Sequence, residues 1–218
     1  MLAVTKQLTQ VDGWKEDVAL VEPESLIRMK MRLWVRCECG YETAYDTDDN
    51  RLRVSVTRSE EPSGERKKKK KKEVLALEKL LEAESSWKPA KGRKCGRCKS
   101  EDTVYEKSML LSTGKYLLVQ IKRFDNDGKI DSEITIPSKL NMLPFMEMPD
   151  GEKMEKDMKL IGVIHHIGST KDSASILDMR VPSWIFCDDD KIKKQSKAAM
   201  LEKAQKDGYI LAFEMISQ

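Results

Sequence analysis

Histidine is the scarcest reactive side chain in this sequence: there are two among 218 residues, adjacent at His165 and His166. That scarcity excludes a histidine-rich metal centre and leaves an imidazole proton relay only these two positions. Long apolar runs are also missing. No stretch approaches the roughly 18 residues that a membrane-spanning helix needs, and the opening residues lack the basic, apolar and small-residue order of a secretory signal. Disulfide-scaffold density is absent: the chain has five cysteines, none before Cys37, a usage that suits a reducing compartment. A large net charge is absent too. The balance is +3, too small on its own to argue for nucleic acid. These absences lead to the expectation of a chain in the cytoplasm or nucleus with no membrane partner.

What is present starts with two cysteine pairs, Cys37-Glu38-Cys39-Gly40 and Cys95-Gly96-Arg97-Cys98. Four thiolates in two short pairs are what a structural zinc ion asks for: soft ligands, tetrahedral geometry, and no open position for chemistry. The second pair has ordinary knuckle spacing, with Gly96 admitting a tight turn; the first has a single residue between its cysteines. The alternative is that the thiols are free and pack as small hydrophobes. Cys187, the fifth, reads as a packed core residue.

Hydrophobic residues make up 39 % and charged residues 35 %, so a core coexists with a heavily charged surface. Pro23-Glu24-Ser25 opens a helix or turn. A strand leads into Cys37, and Arg51 to Thr57 alternates with Leu52, Val54 and Val56 inward, forming a hairpin-like finger with the knuckle. Arg66 to Lys72 is an unbroken basic run, read first as a solvated, disordered loop over 58–72. An import signal or a patch for non-specific polyanion contact are its other readings. Val74, Leu77, Leu80 and Leu81 recur at helical spacing. Tyr116 to Ile121 and Leu160 to Gly168 are near-continuous apolar runs, the pattern of strands buried on both faces. Lys191 to Lys206 reads as a helix, and Tyr209 to Phe213 as a closing strand. Strands outnumber helices without βα alternation, so the fold class is α+β with a largely antiparallel sheet.

The order of these parts resembles the fingers and palm of the ubiquitin-specific proteases. A knuckle ending in Cys39-Gly40-Tyr41, a helix and a Cys95-x-x-Cys98 knuckle come first. Gly114 to Phe124 ends in Lys122-Arg123-Phe124, Leu160 to Gly168 resembles the strand before that family's histidine box, Trp184 to Asp189 resembles its tryptophan and paired acid, and Gly208 to Phe213 resembles its last strand. The resemblance implies a papain-like palm carrying zinc-bound fingers, with Cys37, Cys39, Cys95 and Cys98 as ligands. It divides the chain into an N-terminal segment 1–32 and a partial protease domain 33–216, with fingers at about 33–108 and palm at about 109–216. The family's N-terminal thumb, with its nucleophilic cysteine, has no counterpart here. The position of the family's histidine base falls on Ala174; Asp188 matches its acid and stands as a vestige. A carboxylate with no imidazole to orient does no general-base work. His165 and His166 read as structural or solvent-facing. The expected function is therefore a degenerate, inactive domain that binds ubiquitin or a ubiquitinated protein. The alternatives are a fragment of an active thiol-dependent deubiquitinase and a zinc-stabilised polyanion binder.

Overall fold

The computed structural model describes residues 23–56, 74–147, 157–168, 175–181 and 183–216. Residues 1–22, the basic run Arg66 to Lys72 and Ala174 lie outside them. The first described element is a short helix α1 (Pro23–Ile27), where the sequence places a helix or turn. No helix among the described residues is long and apolar enough to cross a membrane.

Two sheets carry the structure. The smaller is four-stranded, in the order β2 (Glu42–Asp49), β1 (Met29–Cys37), β6 (Val104–Ser112), β5 (Lys88–Pro89). Its β1 strand alternates: Val35 and Cys37 face a small core with Ala90, Cys95 and Val104, while Arg32, Trp34 and Arg36 lie on the opposite face. There the guanidinium of Arg36 sits 4.2 Å over the Trp87 ring and the Lys107 ammonium 5.1 Å from it. Each is a cation–π contact of about 0.5–1 kcal/mol at an exposed site.

The larger sheet has eight strands. Its path runs β15 (Lys191–Lys194), β14 (Ser183–Asp188), β13 (Ser175–Val181), β12 (Asp157–His166), β16 (Gly208–Met215), β7 (Tyr116–Lys122), β3 (Leu52–Ser55), with β11 (Lys139–Asn141) also beside β12. All pairs on that path are antiparallel except β3 with β7. The inner face buries Leu117, Val119, Ile121, Val163, Leu211 and Phe213 under α2 (Leu77–Ser85) and α3 (Lys197–Asp207). The minor pairs are β4 (Leu75–Ala76) with β10 (Ile134–Thr135), and β8 (Phe124–Asp125) with β9 (Gly128–Lys129). Gly128, at φ 107°, supplies the left-handed turn between the last two.

Two expectations need correction. The alternating strand at Leu52 to Val56 does not stay with the knuckle as a finger hairpin. Leu52, Val54 and Val56 are inward, as the alternation requires, but β3 pairs in parallel with β7 in the larger sheet, because its apolar face fits the larger core. The expected helix over Lys191 to Lys206 is two elements. Residues 191–194 form the edge strand β15, and α3 starts only at Lys197, where the Ser196 hydroxyl accepts from Ala199 N at 3.1 Å. A serine N-cap of this kind fixes where a helix begins.

A side chain outside both sheets holds the smaller one from its exposed face. Glu147 accepts from Arg32 Nη1 at 2.9 Å and from Trp34 Nε1 at 2.8 Å, so the start of the finger strand is anchored to the segment after the 3-10 turn Leu143–Phe145.

Candidate functional site

Strand β1 delivers Cys37 to the tip of the smaller sheet, and the chain reverses there: Gly40 has φ 80°, Gly40 N donates to Cys37 O at 2.9 Å, and Cys37 N donates to Tyr41 O at 2.8 Å. The second knuckle closes with Cys95 N donating to Ser100 O at 2.8 Å and Lys99 N to Cys95 O at 3.2 Å. Its left-handed residue is Lys99, at φ 62°. Gly96 is needed for another reason: a Cβ there would meet the Tyr41 ring at 3.1 Å, so glycine lets the two knuckles close on each other.

The knuckles bring four sulfurs together. Cys37 Sγ lies 3.6 Å from Cys98 Sγ, Cys39 Sγ lies 3.6 Å from Cys95 Sγ, and all four fall within 4.8 Å of one another. A tetrahedral zinc with Zn–S bonds of about 2.3 Å sets its sulfurs about 3.8 Å apart, so the cluster fits a structural zinc ion. The surroundings favour thiolate where a ligand needs it. Backbone N–H groups of Cys98 and Arg97 point at Cys95 Sγ, at 3.4 and 3.3 Å, and hold its thiol down at about 6. The Thr103 hydroxyl, 3.2 Å from Cys37 Sγ, lowers that thiol as well. Cys98 receives the Ser100 N–H, yet the Cys95 sulfur beside it and burial push its thiol up to about 11. The thiols thus share their protons unevenly until a cation replaces them. The small core beneath, with two cysteines among its five buried residues, is too small to hold this tip by burial alone.

The larger sheet holds the other candidate residues. His165 Nε2 lies 2.7 Å from Asp178 Oδ2, and both side chains are wholly buried. Burial depresses the imidazole's pKa, and Asp178 opposes that shift. His166 is buried as well, edge-on to Phe124 at 4.6 Å and to Tyr209 at 5.7 Å. Strict alternation would turn one of two successive histidines outward. Here the pairing with β16 shifts register between Ile164 and His165, and both go inside. A solvent-facing role is therefore excluded for both. Asp188 ends β14, half-buried and in register with Lys191. Cys187 is half-buried opposite Leu177 and Ile192.

Two residues stand out that sequence reasoning passed over. Asp178 is a charge in an otherwise inward-facing strand position, a signal open to reading. Arg123 is fully buried: it donates through Nε to Gly208 O at 2.8 Å, Nη1 to Ser132 O at 2.6 Å and Nη2 to Gln205 O at 2.9 Å. Burial works against its charge, which Asp207 and Asp131 offset.

Comparison with known proteins agrees with this arrangement. The family profile described as Ubiquitin carboxyl-terminal hydrolase matches residues 14–213. The Drosophila melanogaster protein "Ubiquitin carboxyl-terminal hydrolase nonstop" is 28 % identical over 146 residues, covering 64 % of this chain and 29 % of that protein. "Ubiquitin carboxyl-terminal hydrolase 17" of Arabidopsis thaliana is 41 % identical over 58 residues, 26 % of this chain and 8 % of that one. Among solved structures, the "SAGA Ubp8/Sgf11/Sus1/Sgf73 DUB module bound to ubiquitin aldehyde" superposes with a TM-score of 0.68 at 18 % identity, over 88 % of this chain and 42 % of that chain, a shared fold. The chain spans less than half the length of these relatives. With the profile running over most of its length, the chain belongs to the ubiquitin carboxyl-terminal hydrolase family.

Proposed function

We propose that this chain is a ubiquitin-binding module of its family that carries no complete proton-transfer machinery of its own. The observation that carries the reading is the burial of both histidines. His165 is locked to Asp178 inside the larger sheet, and His166 is packed against Phe124 and Tyr209. A general base must reach the proton it takes within about 3 Å, and neither ring is at the surface. The position that the family resemblance assigns to the base is Ala174, whose methyl group neither accepts nor donates a proton. Asp188, the matched acid, then has nothing to orient. In this reading the four-sulfur clip stiffens the finger sheet, and the eight-stranded sheet is the platform it stands on. Ubiquitin is the proposed partner because the similar Ubp8 module was solved with ubiquitin aldehyde bound.

The span of the chain favours a second reading. It covers 29 % of the fly relative and 42 % of the Ubp8 chain, so it can be part of a larger, active deubiquitinase whose nucleophile lies elsewhere. Ala174 weighs against it, since a nucleophile supplied from another segment would still lack its base.

The test is a titration of isotope-labelled ubiquitin with the zinc-loaded chain. Saturable shifts confined to one face of ubiquitin support the proposal; a spectrum unchanged at millimolar chain removes ubiquitin as the partner.

A further inference from the structure

The exposed face of the four-stranded finger sheet carries two cations that no described carboxylate engages. Arg36 on β1 is in register with Tyr105 on β6, and Trp34 with Lys107. Arg36 and Lys107 are therefore diagonal neighbours on one face, with side-chain roots about 7–8 Å apart. Both lean on Trp87, just before β5: the Arg36 guanidinium lies 4.2 Å from its ring centroid and the Lys107 ammonium 5.1 Å. The two charges thus sit less than about 10 Å apart, about one Debye length at 0.1 M salt, where like charges still repel. Arg36 also lies 5.9 Å from the Tyr105 ring, and Lys107 5.9 Å from the Trp34 ring. Neither cation forms an ion pair among the described residues, although Arg32, Lys88 and Arg93 on or beside the same sheet each do. Glu42, opposite Arg36 on β2, forms no ion pair with it.

We propose that this face docks an acidic segment of another protein, held extended with carboxylates on alternate residues. Charge is the first argument. Carboxylates set against two unpaired cations relieve the repulsion between them and accept charge-assisted hydrogen bonds from both. Spacing is the second. Residues i and i+2 of an extended strand project to the same side about 6.6–6.8 Å apart, close to the separation of the two cationic side chains at their roots. Adjacent acids would point to opposite sides. Preorganisation is the third. Side-chain stems already laid against an aromatic ring have less rotamer freedom left to lose on binding. The half-buried Trp34, Trp87 and Tyr105 add the residue types that, with Arg, carry most interface energy. The same face favours a short acidic stretch over a long polyanion. Arg32 is already held by Asp46 and Glu147, and β2 sets Glu42, Asp46 and Asp48 along one side of it, a negative border that repels an extended nucleic-acid backbone. The inference does not depend on the proposed function.

The test uses the zinc-loaded, full-length chain and two fluorescein-labelled peptides of equal composition, one with glutamate and threonine alternating and one with the glutamates contiguous. By anisotropy the alternating peptide should bind saturably, more tightly than the contiguous one, and lose affinity as salt rises. The double variant Arg36→Glu/Lys107→Glu should lose about tenfold in affinity for it and gain affinity for a peptide alternating lysine and threonine, an exchange that an unfolded finger sheet would not produce. Unchanged affinity for the alternating glutamate peptide in this variant would overturn the proposal. So would equal binding of the two glutamate peptides, which would reduce the effect to bulk charge. Tighter binding of an oligothymidylate of equal charge would overturn it by assigning the face to nucleic acid, and displacement of the peptide by ubiquitin would overturn it by assigning the face to ubiquitin. Trp87→Leu keeps both charges and removes the ring that holds them. It should weaken the alternating peptide several-fold at unchanged zinc content, and undiminished binding would refute the clamp.

Discussion

His165 Nε2 and Asp178 Oδ2 meet at 2.7 Å with neither side chain reaching solvent. They join β12 to β13 in the middle of the larger sheet, and the remaining atoms, His165 Nδ1 and Asp178 Oδ1, have no hydrogen-bond partner there. Removing one partner leaves the other buried without its hydrogen bond. Asp178→Ala should therefore lower unfolding stability by about 1–3 kcal/mol, read as a shift in the urea midpoint at unchanged slope.

The same pair sets a pH dependence. Burial holds the pKa of His165 below its usual value, so between that lowered value and about 6.5 the unfolded chain binds a proton that the folded chain does not. Stability is then greatest above about 6.5 and is lost as pH falls below it. Thermal midpoints at pH 7.5 and 5.5 should differ more in the parent than in His165→Gln. Acid also weakens metal binding at the clip, but it does so equally in both proteins, so the difference between them isolates the imidazole.

The clip gives a counting test. In the zinc-loaded protein the four clip cysteines should resist a thiol reagent; after chelation all four should react, with one zinc released per chain. Cys95→Ser should abolish zinc retention and melt the finger sheet, since Val35, Ala90 and Val104 cannot hold it unaided. Circular dichroism would follow the loss.

Arg123 offers the sharpest test of packing. Arg123→Lys keeps a charge, but one ammonium cannot follow a guanidinium's fork to three carbonyls. Buried carbonyls left without donors cost about 1–3 kcal/mol each. The variant should lose about 2–4 kcal/mol, measured by denaturant unfolding.

How much of this was legible in the sequence varies by kind of residue. The four-sulfur clip was readable because ligand spacing is a local property, and Leu52, Val54 and Val56 were readable because alternation is local. The partner sheet of β3 was not, since nothing in a four-residue strand says which apolar face it will meet. Arg123 after a strand end carries no local signal of burial; only the fold brings Gly208, Ser132 and Gln205 around it. The inward turn of both histidines depends on a register shift against β16, a long-range feature. The apolar runs at Tyr116 and Leu160 read as buried on both faces, yet the Tyr116 run alternates: Leu117, Val119 and Ile121 are buried while Tyr116, Leu118 and Gln120 are half-buried.

The most direct test of the central claim is single-turnover cleavage of a ubiquitin substrate bearing a C-terminal fluorophore, with zinc-loaded chain in excess. The account predicts ubiquitin binding with no fluorophore release above buffer, and none for Ala174→His, which restores an imidazole without a nucleophile. Release by the parent chain that alkylation abolishes would contradict it.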